Sequence, residues 1–91
     1  MILSLLGKRW KVKYVNRLPK DMLAFCHGPS TPRKEIRFIS SIRKNPDLHL
    51  EVAIHEMLHA LDWPKDEDWV TCAAHDMAVA LKQMGFIKEE R

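Results

Sequence analysis

Cysteine is scarce in this chain. Only Cys26 and Cys72 occur, they form no Cys-x-x-Cys pair, and two cysteines cannot build a disulfide framework. Both read as free thiols of a reducing compartment and as small core residues, with a thiolate ligand as the alternative. Long apolar runs are missing as well. Nothing approaches the ~18 residues that a membrane span requires. The opening stretch MILSLLGKRW is apolar only from Ile2 to Leu6, and Ser4 interrupts even that. Its basic residues follow the run, and no cleavage-site pattern closes it, so it fails as a signal peptide. These absences place the protein in the cytoplasm of the cell that makes it. No internal repeat or low-complexity tract is visible. The charge excess is small: 15 Lys and Arg against 12 Asp and Glu give +3. That permits contact with nucleic acid or an acidic partner without arguing for it.

Ninety-one residues make one domain, 1–91. A chain of this size buries only about 60–65% of its unfolded surface, so a bound metal would add useful folding energy. Lys8–Val15 alternates Trp10, Val12 and Tyr14 with Arg9, Lys11 and Lys13, which predicts a strand. Its basic face reads as a solvated strand face. Met22–Cys26 and Lys34–Ser40 predict a hairpin across the turn-rich His27–Pro32 segment. After IRKNPD, residues 42–47, the period changes. Asn45 or Asp47 is placed to cap a helix with Pro46 in its first turn. Apolar residues then fall on nearly every side to Leu61, the pattern of a buried central helix. Pro64 breaks it. Asp66 is placed to cap a second helix running to about Met84, with Val70, Ala74, Met77, Ala78, Leu81 and Met84 as its apolar stripe and Gly85 as its C-terminal stop. The charged tail Lys88–Arg91 reads as frayed. The expected fold is α+β: a small, mainly antiparallel sheet of about three strands on two helices.

The first helix contains HEMLH, residues 55–59. Positions four apart share one helix face, so His55 and His59 can direct two imidazole nitrogens at one zinc ion. Glu56 stands about 100° round the helix from His55. From there its carboxylate can act on a water without becoming a ligand. This is the HExxH arrangement of a metallopeptidase, with Glu56 as general base. The competing reading is a pair of histidines satisfied by hydrogen bonds. It must also account for a glutamate and two histidines on a helix expected to be buried, which is costly without partners.

A catalytic zinc site wants a third protein ligand. The metzincin pattern would place a histidine at Lys65 and is excluded. Asp62 lies seven residues after His55 on the same face, as an alternative ligand or a hydrogen-bond partner of the histidines. Glu67 lies about 50° from the centre of the second helix's apolar stripe and leans inward, which favours it as the ligand. Its other use is a first-turn charge on the helix dipole. Asp66 is shorter and better used as a cap. His75 and Asp76 fall on the solvent side of that helix. Trp63 and Trp69 read as packing the corner between the helices, or as lining a cleft. His27 reads as a loop histidine, or as a polar group near the cleft. Were Lys34–Ser40 an edge strand beside the motif helix, an extended peptide could pair with it; its other place is inside the sheet.

The segments LAFCHGPSTPRKEIRFIS, HLEVAIHEMLHALDW and DEDWVTCAAHDMAVALKQMGF, in that order, resemble the small HExxH proteins of phage and prophage genomes. These are relatives of the minimal gluzincin, SprT-like and ImmA/IrrE-type zincins. The resemblance covers about residues 22–86, with its specific core at His55–Trp63 and Glu67–Val70. It implies a zincin-like core, zinc at His55 and His59, and Glu56 as general base. In gluzincin and ImmA-type relatives the third ligand is a glutamate on the following helix, and Glu67 is the best match. Two departures stand out: the ImmA pattern has two glutamates spaced by one where this chain offers Asp66 and Asp68, and the further histidine of SprT-like proteins has no match. The expected function is a phage-encoded zinc-dependent peptidase acting on a protein or peptide substrate. The alternatives are a non-catalytic zinc-stabilised module that binds a protein or DNA, and a self-inhibited zymogen.

Overall fold

Two residues in left-handed backbone conformation, Leu6 (φ 49°) and Gly7 (φ 74°), open the fold with a tight hairpin. Positive φ at both central positions is the signature of a type I′ turn, whose twist suits antiparallel strands. It joins β1 (Ile2–Leu5) to β2 (Lys8–Val15), with Leu5 opposite Lys8 and Ile2 opposite Lys11. A computed structural model describes residues 1–87 and adds β3 (Ala24–Cys26), β4 (Glu35–Ile39), α1 (Pro46–Leu61) and α2 (Glu67–Gln83). The tail expected to fray, Lys88–Arg91, lies outside the described residues.

The α+β class holds, but the sheet differs from expectation. It has four strands in the order β1-β2-β4-β3, and it is mixed. The hairpin between β3 and β4 forms as predicted, pairing Phe25 with Arg37. β2 and β4 run parallel, Val12 beside Ile36 and Tyr14 beside Phe38. The chain leaves β2, passes over the place that β4 will take, lays β3 at the far edge, and returns to fill the gap. β4 is therefore an interior strand and offers no edge; the edge on that side belongs to β3.

Strand alternation does the rest. Trp10, Val12, Ile36, Phe38, Ala24 and Cys26 all point to one face and form a core with Ile42 and Ala60. Leu48, Val52 and Ala53 of α1 pack against it. A second cluster, Ile54, Ala74 and Ala78, lies between the helices and is flanked by Leu50, Met57, Leu58 and Leu81. α1 thus sits between the sheet and α2, which explains its apolar residues on several sides. It is only half-buried, however: Ile54, Glu56 and Ala60 are its buried residues, and Leu61 is exposed. On α2 the buried stripe narrows to Val70, Ala74 and Ala78, while Met77 and Met84 face outward. Small residues at 74 and 78 let α2 lie close to α1, and among the described residues no other element covers its far side.

The helix ends form as their residues dictate. Asn45 Oδ1 accepts the N–H of Leu48 at 3.2 Å, and Asp66 Oδ2 accepts that of Trp69 at 3.1 Å. Gly85 (φ 85°) terminates α2, with Phe86 N–H donating to the Leu81 carbonyl and Gly85 N–H to that of Lys82. This is the paired geometry of a Schellman stop.

Candidate metal centre

Between α1 and α2 the chain makes a five-residue turn, 62–66, closed by the Lys65 N–H on the Asp62 carbonyl at 3.0 Å. The turn brings the first residue of α2 back onto the histidine face of α1. His55 and His59 place their Nε2 atoms 3.1 Å apart. Glu67 straddles the pair, Oε1 at 3.0 Å from His55 Nε2 and Oε2 at 2.9 Å from His59 Nε2. Among the described residues these three are the only group of at least three His, Cys, Asp or Glu side chains that converge in this way.

The donors fit a zinc ion. Two nitrogens bound tetrahedrally at 2.0–2.1 Å lie about 3.3 Å apart, close to the observed spacing. Two imidazole nitrogens and a carboxylate also form a donor set that zinc accepts. The alternative needs protons: facing Nε2 atoms repel unless one of them donates, and Glu67 can then accept from either ring. That satisfies the rings without explaining the glutamate beside them.

That glutamate is Glu56. It is 8% exposed and has no hydrogen-bond or ion-pair partner among the described residues. Burial, and secondarily the negative charge of Glu67, push its pKa up to about 7. Glu56 and the three donors share an open hollow of about 700 Å³ with Val52, Trp63 and the Met22–Cys26 segment. The Trp63 ring stands edge-on to His59 at 6.2 Å between centroids. Behind it lies Gly28, where an added Cβ would touch the indole at 3.5 Å. Trp63 is therefore a wall of the hollow. Cys26 faces Glu56 from the sheet side, and burial, then the charge of Glu56, push its thiol up to about 12.

β3 forms one rim. Ile39 donates to the Leu23 carbonyl and His27 to that of Glu35, so Leu23, Phe25 and His27 direct their backbone polar groups at β4. The N–H and C=O of Ala24 and Cys26 point the other way, to the open edge beside the hollow. Nothing in the sequence marked Met22–Cys26 or Val52 as site residues; only the packing of β3 beside α1 puts them there.

Several expected residues lie elsewhere. Asp62 is the C-terminal cap of α1, at φ −143° and ψ 77°. It departs from the helix before it can share the histidine face, and it lines a separate hollow near Leu5 and Lys8. Asp66 is used as the cap of α2. His75 pairs with Glu51 at 2.9 Å on the surface, and Asp76 is exposed, both on the solvent side as expected. His27 accepts the Glu35 N–H through Nδ1 at 3.1 Å and does not line the site. Cys72 is exposed on α2 instead of in the core. Trp69 is also exposed, under the Lys65 ammonium 4.5 Å from its ring, and packs no corner.

No family model, curated protein or solved structure matches the chain. No helix among the described residues is long and apolar enough to cross a membrane.

Proposed function

We propose that the protein is a zinc-dependent peptidase, with His55, His59 and Glu67 as metal ligands and Glu56 as general base. The observation that carries this reading is the convergence of three donors beside a buried, unpartnered glutamate. A zinc ion at the three donors supplies a Lewis acid that polarises a peptide carbonyl and acidifies a water. Glu56 then accepts the proton of the attacking water and returns it to the leaving amine as the C–N bond breaks. Its position, one residue from a ligand but outside the donor group, leaves it free for that exchange. The open backbone groups of Ala24 and Cys26 suit an extended peptide, which would add a strand to β3 and run along the hollow. The zincin resemblance of the HEMLHALDW stretch points the same way.

The test is metal content of the untagged protein, followed by peptide hydrolysis. One zinc per chain is expected, lost in His59→Ala and strongly weakened in Glu67→Ala but not in Asp62→Ala. Glu56→Gln should keep the zinc and lose hydrolysis. A wild type that neither holds zinc nor takes it up on titration ends the enzyme reading. Zinc retained at full strength in Glu67→Ala would remove Glu67 from the ligand set.

A further inference from the structure

Charge is distributed very unevenly over this chain. Residues 1–44 hold 11 of the 15 Lys and Arg but 2 of the 12 Asp and Glu. In the fold this puts the positive charge on the sheet side and the negative charge on the two helices. The face of the sheet that carries no helix concentrates it further. Arg9, Lys11 and Lys13 project from β2 and Arg37 from β4, with Arg33 and Lys34 just ahead of β4.

Two shallow hollows on this face meet at Lys13, Arg33 and Glu35. Glu35 is the only acid lining either. It is already engaged by Lys13 at 3.0 Å and Arg37 at 2.8 Å, which hold its carboxyl below the usual range. Arg9, Lys11, Arg33 and Lys34 have no ion-pair partner among the described residues. An aromatic ring joins the cations: Phe25 lies opposite Arg37, which in turn lies beside Lys13, and it meets His27 edge-on at 5.0 Å.

We propose that this helix-free sheet face binds single-stranded nucleic acid. Alternate side chains along a strand stand about 6.6 Å apart, so β2 offers a spaced row of cations to a phosphate backbone. Phe25 offers a ring on which a base can stack. An acidic protein would use the cations but not the ring. Duplex DNA shows no base faces to the ring, and no helix or ribbon projects from this face to enter a groove. The acidic helices repel a polyanion, so the charge asymmetry also orients the protein on its ligand. The cation row stands apart from the metal site, and Phe25 is the one residue of the proposed surface that also borders the metal hollow.

The experiment is fluorescence anisotropy of the full chain with a labelled oligothymidine of about 15 nucleotides, between about 50 and 200 mM salt. Arg9→Gln/Lys11→Gln/Arg33→Gln should weaken binding at least about tenfold and flatten the log–log salt slope by about 2, at roughly 0.7 per lost phosphate contact. Arg17→Gln/Lys20→Gln/Lys44→Gln removes the same charge away from this face and should change affinity less than about twofold. Phe25→Ala should cost about tenfold on the oligonucleotide but not on heparin, and Phe25→Trp should restore it. Thermal melts confirm that each variant is folded, and His59→Ala should bind as wild type. The proposal is overturned by no binding to the wild type or by equal losses in the two triple variants. Tighter binding of a duplex of the same length, or indifference to Phe25→Ala, overturns it as well.

Discussion

Replacing Glu56 by Gln should stabilise the metal-free protein, although it destroys the proposed catalyst. Glu56 is 8% exposed as a residue, has no partner among the described residues, and has a pKa moved from 4.5 to about 7 by burial first and Glu67 second. The folded pKa exceeds the unfolded one. Between about pH 4.5 and 7 the folded state therefore keeps a proton that the unfolded state has lost, and above about pH 7 both are ionised and the full penalty of a buried charge remains. At 1.36 kcal/mol per pH unit, linkage makes Gln better than Glu by about 3 kcal/mol near pH 8 and by less than about 1 kcal/mol near pH 5. The assay is urea unfolding of chelator-treated wild type and Glu56→Gln at both pH values. Zinc should shrink the gap, because a nearby cation favours the carboxylate. A variant no more stable than wild type near pH 8, or a gap that does not narrow near pH 5, would refute the reasoning.

Three other outcomes follow from the same structure. Ellman's reagent at neutral pH should find one fast thiol, the exposed Cys72, and Cys72→Ser should leave only slow reaction, because Cys26 is buried and pushed up to about 12. Leu6→Asn should gain about 0.5–1 kcal/mol in thermal or urea melts, since Asn tolerates the left-handed φ of 49° and an Asn-Gly pair suits this turn; Gly7→Ala, at φ 74°, should lose about 1 kcal/mol. Asn45→Ala should cost about 1 kcal/mol by removing the acceptor of the Leu48 N–H, a loss readable in the same melts.

The features that could be read in advance share a short range. His55 and His59 fall on one face because four residues make about one helical turn. Asn45, Asp66 and Gly85 act on backbone groups within five positions of themselves. Lys8–Val15 and the β3–β4 hairpin announce themselves through alternation and a turn-rich loop. β1 escaped notice because the four residues Ile2–Leu5 carry too little alternation, and the turn after them places Leu6 where asparagine would have signalled a hairpin. Met77, Met84 and Cys72 have the composition of core residues, and they are exposed because no further layer among the described residues covers them.

Sequence alone determined the helix pair, the HExxH face with Glu56 turned off it, and the capping of both helices, because each depends on periods and contacts spanning a few residues. Tertiary structure decided the parallel pairing of β2 with β4, the place of β3 at the edge beside the site, and the approach of Glu67, rather than Asp62, to the two histidines. Those outcomes rest on how a five-residue turn and a crossed-over strand return the chain in space. No local propensity records them, since the free energy that selects them comes from burying Trp10, Ile36 and Phe38 of the sheet against Val52 and Ala60 of α1.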